Sequence, residues 1–177
     1  MQVTVNESFE VNAPRDAVWA LLSDPRKVVT CVPGARITGQ TGDDLYTGVV
    51  RMKVGPVVTN FSGEIRIEKK DDETAEFILV GRGRDAKGKG SADMRLVGSV
   101  NTIESGLSQV SSSMTLSISG RLAQFGSRLM QDVTKRVFQQ FVECFRSNVL
   151  SGSDQSAEEV DALGLLLGTV KDRLKRR

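Results

Sequence analysis

The chain has 177 residues, 39% hydrophobic and 26% charged, with a formal net charge of +2. That is apolar material for one core of about 150 residues plus an appendage, and a balance so near neutral points away from nucleic acid as a partner. Histidine is absent, which removes the commonest general base, the commonest zinc ligand and any nucleophilic triad that needs an imidazole.

Residues 3–11 alternate as a strand. Pro14 then stands at the first turn of a helix over 16–23, and Asp24-Pro25 interrupts it and starts a second short one. Cys31-Val32-Pro33-Gly34 ends that helix with turn residues. Alternating runs follow over 35–40, 45–54, 57–68, 74–84, 90–100 and 107–119, with Gly55-Pro56 and Lys70-Asp71-Asp72-Glu73 as hairpin turns. Gly120 breaks the last run, after which Leu122, Phe125, Leu129, Val133, Val137, Phe141, Cys144 and Phe145 keep helical spacing. Cys31 and Cys144 lack metal-ligand spacing, and no signal-like apolar run follows Met1, so the expectation is a cytosolic protein with reduced thiols.

A long antiparallel meander plus one late amphipathic helix buries its apolar faces best if the sheet curls around the helix. The expected class is therefore α+β with a helix-grip fold: a curved antiparallel sheet of about seven strands around the long helix, and two short helices at one mouth. Strand parity turns Val50, Met52, Phe61, Gly63, Ile65, Ile67, Phe77, Leu79, Gly81, Met94, Leu96, Ser112, Met114 and Leu116 inward. Glycine leaves volume unfilled and methionine adapts to varied guests, so an apolar cavity between sheet and helix is expected, with a filled core as the alternative. The inward set holds no pair of carboxylates for acid–base work. Gly83 to Gly90 imitates a phosphate loop up to Lys89 but lacks the hydroxyl residue and the following helix, so nucleotide binding is not expected there. Arg82, Arg84, Lys87 and Lys89 make it a basic hairpin instead, either simply solvated or facing lipid head groups or an acidic partner.

The first 150 residues read as this domain, and 151–156 as a polar linker, Ser151-Gly152-Ser153-Asp154-Gln155, ending at Ser156. A separate amphipathic tail occupies 157–177, with Ser156 and Glu159 at capping-box spacing. Val160, Leu163, Leu166, Leu167, Val170 and Leu174 share one stripe flanked by Lys171 and Arg173, and five basic side chains against one Asp fill 171–177. The weakly polar run 162–170 is far short of the roughly 20 residues a span needs. The tail is expected to dock reversibly on a membrane surface or a partner, with packing against its own domain or a second copy, or disorder, as the alternatives.

The residues Phe9-Glu10-Val11, Ala13 to Trp19, Leu21 to Pro25, Cys31 to Ala35, Val49 to Pro56 and Gly120 to Gly126 together resemble the CoxG family of carbon monoxide dehydrogenase. That family is part of the START-like, SRPBCC superfamily of binders of lipids and other hydrophobic ligands. The resemblance implies a non-enzymatic accessory protein, cytoplasmic and peripheral on the inner face of the cell membrane, that brings molybdenum-containing carbon monoxide dehydrogenase there. A cavity beside a membrane suggests a respiratory quinone, menaquinone or ubiquinone, or another lipid as the ligand. Lining candidates are Met52, Phe61, Phe77, Leu79, Met94, Met114, Phe125 and Leu129, with Trp19, Leu22, Val32 and the Pro33-Gly34 turn at the mouth. No catalytic residue, metal or covalent cofactor is expected. The competing readings are a polyketide cyclase or aromatase-like enzyme and a pure membrane tether without a ligand.

Overall fold

The structure, a computed structural model, describes the backbone of residues 1–174 and the side chains of residues 1–152. Its elements are β1 (Gln2–Val11), α1 (Arg15–Leu22), α2 (Pro25–Val28), β2 (Ala35–Thr41), β3 (Leu45–Val54), β4 (Val57–Asp71), β5 (Glu76–Asp85), β6 (Ser91–Glu104), β7 (Leu107–Ile118) and α3 (Gly126–Leu174). Two 3-10 turns, Val29–Cys31 and Gly120–Phe125, precede β2 and α3. The strands form one antiparallel sheet in the order β1-β7-β6-β5-β4-β3-β2, the helix-grip arrangement that the meander called for. β1 is the exception to neighbour-by-neighbour pairing, since it closes beside β7.

β4 and β6 run several residues beyond their alternating stretches because bulges, between Ile67 and Lys69 and between Thr102 and Glu104, shift the parity while the ladder continues. The bounds of α3 take in the stretch 151–156 read as a linker. The side chains from Ser153 onward, and with them the whole docking face expected of the tail, lie outside the described residues.

One face of the sheet is fixed by Phe9, whose ring meets the edges of Phe138, Phe141 and Phe145 of α3 at centroid distances of 5.8, 6.4 and 5.9 Å. Phe9 pairs with Val110, and the register carries this α3-facing parity across the sheet. One row reads Tyr46, Ile65, Gly81, Met94, Leu116, and the next Ile67, Leu79, Leu96, Met114. The inward sets read from alternation are therefore in register with one another.

Two separate apolar cores form on this face. The first gathers Phe9, Val11, Val18, Trp19, Phe77, Val100, Val110, Val142, Phe145 and Val149 around α1 and the C-terminal part of the described α3. The second gathers Val3, Val5, Val54, Ile118, Leu122 and Met130 around the start of α3. Gly98 makes room for the first: a β-carbon there would run into the Phe77 ring. Gly120, at φ +78°, turns the chain out of β7 where a β-carbon would meet the Lys89 carbonyl.

Cys31 and Cys144, expected as reduced thiols, are joined in a disulfide with their Cα atoms 5.3 Å apart. The correction has a simple cause. The two are 113 residues apart in sequence, and only the packing of α3 against the 3-10 turn after α2 brings them together.

Candidate functional site

Between the two cores the α3-facing side of the sheet is incompletely covered. Ile65 in the middle of β4 keeps 38% of its surface exposed although it points toward the helix side. Ile67, Leu79, Met94, Leu96, Met114 and Leu116 are only half-buried. Above them α3 packs most closely on β1, α1, the 3-10 turns and the end of β3. Leu129, Val133, Val137 and Phe141, four residues apart on α3, form a half-buried stripe. Leu129 and Val133 lean on the second core and Phe141 on the first, while Val137 belongs to neither. The result is an incompletely covered apolar stretch between sheet and helix, a gap in the packing with a packed core at each end.

Gly81 keeps the floor low, with a β-carbon position only 3.3 Å from Met94 Cε and 3.7 Å from Ile65 Cγ1. A larger residue there would displace one of those side chains into the gap. A separate small space of about 10 Å³ lies beside Val57, Phe61, Asp85 and Leu122, room for one water at most. Polar chemistry facing the gap is sparse. Ser112 is half-buried and its hydroxyl donates to the Glu7 carbonyl oxygen at 3.4 Å, a long bond that it would have to give up to serve another acceptor. Among the described residues no group of three potential metal ligands converges. A site of this make-up can hold an apolar molecule and orient one carbonyl.

Of the candidates read from the sequence, Met94 and Met114 lie on the floor, and Met52, Phe61, Phe125 and Leu129 lean half-buried on the second core. Leu22 and Leu79 pack against the first core, and Val32 is half-buried beside Cys31. Trp19 and Phe77 are core side chains, 8% and 7% exposed, with ring centroids 6.3 Å apart. The Trp19 indole N–H donates to Asp72 Oδ1 at 2.8 Å, tying α1 to the β4–β5 turn. Absent from the sequence-derived lining are Val133, Val137 and Phe141. Their four-residue spacing from Leu129 was the available signal.

The basic hairpin between β5 and β6 is closed by Asp85. Its carboxylate accepts the backbone N–H groups of Asn60, Lys87 and Lys89 at 3.3, 3.0 and 3.2 Å. Burial pushes this carboxyl up, but the three donors together outweigh it and hold it below its ordinary value. The glycine-rich stretch is thus a braced turn.

Residues 8–150 match the family model described as CoxG, a subunit of carbon monoxide dehydrogenase. The chain belongs to the CoxG family. No curated protein matches it in sequence. Among solved structures it is similar to a conserved protein from Geobacillus kaustophilus, at 19% identity and a TM-score of 0.76 over 85% of this chain and 96% of that one. It is also similar to the Zhui aromatase/cyclase from Streptomyces sp. R1128, at 12% identity and a TM-score of 0.63 over 84% and 94%. A START superfamily protein from Mycobacterium smegmatis aligns at 8% identity and a TM-score of 0.58 over 84% and 97%. These likenesses establish the START-like fold that the CoxG-family chain shares. Among the described residues no helix is long and apolar enough to cross a membrane.

Proposed function

We propose that this CoxG-family chain is a non-enzymatic carrier that holds an isoprenoid quinone, menaquinone or ubiquinone, between the sheet and α3. In this reading it delivers the quinone from the bilayer to molybdenum-containing carbon monoxide dehydrogenase, which it docks at the cytoplasmic membrane face. The observation that carries the reading is the apolar gap between two cores in a member of a family named for that dehydrogenase. An isoprenoid chain would lie along Ile67, Leu96, Val133 and Val137, and the Ser112 hydroxyl supplies a donor for a ring carbonyl. The quinone would take up two electrons and two protons at the enzyme, not in the carrier. The amphipathic tail, 157–177, would hold the domain at the lipid surface.

Native mass spectrometry of the full-length protein from its own host, with solvent extraction and mass identification, tests the proposal. One isoprenoid quinone per chain supports the carrier. An empty protein after incubation with quinone-containing vesicles refutes it and leaves the tether. A stoichiometric aromatic polyketide would instead favour the cyclase reading that the Zhui fold likeness raises.

A further inference from the structure

The sheet face turned away from α3 carries a shallow groove of about 540 Å³ across β5, β6 and β7. Arg82, Arg84 and Arg95 line it together with Asp93, Val80 and Thr115. The register places them side by side: Arg82 opposite Asp93, and Val80 opposite Arg95, itself opposite Thr115. Arg95 is already engaged, its Nη1 lying 2.6 Å from Glu68 Oε2. Among the described residues Arg82 and Arg84 enter no ion pair and are exposed, although Asp93 and Glu64 flank Arg82 on the neighbouring strands. Exposed Lys87 adds a further cation at the hairpin tip.

Arg82 and Arg84, two residues apart on one strand, start from backbone positions roughly 7 Å apart on the same face, and neither guanidinium enters an ion pair among the described residues. Each offers a planar fork matched to a carboxylate. The groove has short walls at Thr115 and Ser117, and exposed Val97 lies on the same face beside it, opposite Ile78. Arginine is enriched at protein interfaces relative to the rest of the surface, and a recess presents its charges to a protruding side chain better than to a flat bilayer. On this geometry we infer that the groove docks an acidic segment of the partner dehydrogenase through Arg82 and Arg84. This rests on the reading that the dehydrogenase is the partner. Docking here leaves the α3 side of the sheet uncovered, so quinone can exchange while the complex stands.

The test is biolayer interferometry of the full-length chain against purified dehydrogenase, with R82E/R84E, R82Q/R84Q and the control K135E/R136E on exposed positions of α3. R82E/R84E should weaken binding by about tenfold or more, with most of the effect lost at high salt, and R82Q/R84Q by less. Both should keep the melting temperature and the bound-quinone content, and the control should bind as wild type. If wild type does not bind the dehydrogenase, the functional reading fails and takes the inference with it. If wild type binds and R82E/R84E binds equally, or the control weakens as much, the inference alone is overturned. Loss of binding only to vesicles containing phosphatidylglycerol also overturns it, since the face would then be a lipid contact.

Discussion

Valine-to-alanine substitutions at three helical positions measure whether the gap is open. Val18 on α1 is fully buried, Val142 on α3 is 8% exposed, and Val137 on α3 is half-buried and outside both cores. Removing two carbons costs roughly 1.6 kcal/mol at about 0.8 kcal/mol per buried methylene. At Val18 and Val142 the unfilled space adds to this, for a total of about 2–3 kcal/mol. The better helix propensity of alanine returns at most about 0.7 kcal/mol and does so equally at all three positions. At Val137 about half the transfer value applies and no new cavity forms, so the loss should stay below about 0.8 kcal/mol. Urea unfolding of the delipidated protein, with the m-value unchanged between variants, reads these differences directly. A Val137→Ala loss within about 0.5 kcal/mol of the Val18→Ala loss would refute the reasoning: the stripe would then be packed, the gap filled and the carrier reading lost.

Ile65→Arg puts a charge where the gap meets solvent and should lower copurified quinone by about tenfold with little change in melting temperature, because no paired partner offsets its burial beside lipid; unchanged quinone content would place the ligand elsewhere. Trp19→Phe removes the N–H donated to Asp72 and should cost about 1 kcal/mol in thermal unfolding while leaving quinone content unaltered; a selective loss of quinone would make Trp19 a gate after all. Gly98→Ala drives a methyl into the Phe77 ring and should destabilise by about 1–3 kcal/mol, measured by urea unfolding. Asp85 lies below its ordinary value when folded, so its contribution is present above the unfolded pKa of about 3.9 and fades as pH falls through the folded value. Wild type and Asp85→Asn should therefore differ in stability at neutral pH and converge below about pH 4; a constant difference down to pH 2 would exclude the carboxylate as the brace.

Much of the sheet was legible because hairpins announce themselves. Gly55-Pro56 falls at the β3–β4 turn and the run at 70–73 overlaps the β4–β5 turn at Asp72 and Glu73, and strict alternation assigned Ile65, Leu79, Met94 and Met114 to the α3-facing side. Long-range choices left no local trace. Nothing in residues 2–11 says that they pair with 108–117, and nothing near Cys31 points to Cys144. Trp19 and Phe77 resemble lining by type and parity. What withdraws them into a core is the room left by Gly98 and the acceptor at Asp72, each on a different element. The long helix showed its apolar residues but not their division into a buried side toward β1 and a half-covered side toward the gap. That division depends on where the helix axis comes to rest.

The pairing of the first strand with the last has a consequence for synthesis. As the chain leaves the ribosome, β2 to β6 can zip hairpin by hairpin, but β1 has no partner until residues 107–118 emerge. Until β7 emerges β6 ends in an open edge, and until α3 follows the face bearing Ile65, Met94 and Leu96 has no roof. The surface suited to receiving a lipid in the finished protein is thus the one most exposed to aggregation while the protein is being made. Under the proposed carrier reading, early arrival of an apolar guest on that face would shorten the exposure and tie maturation to the supply of the ligand.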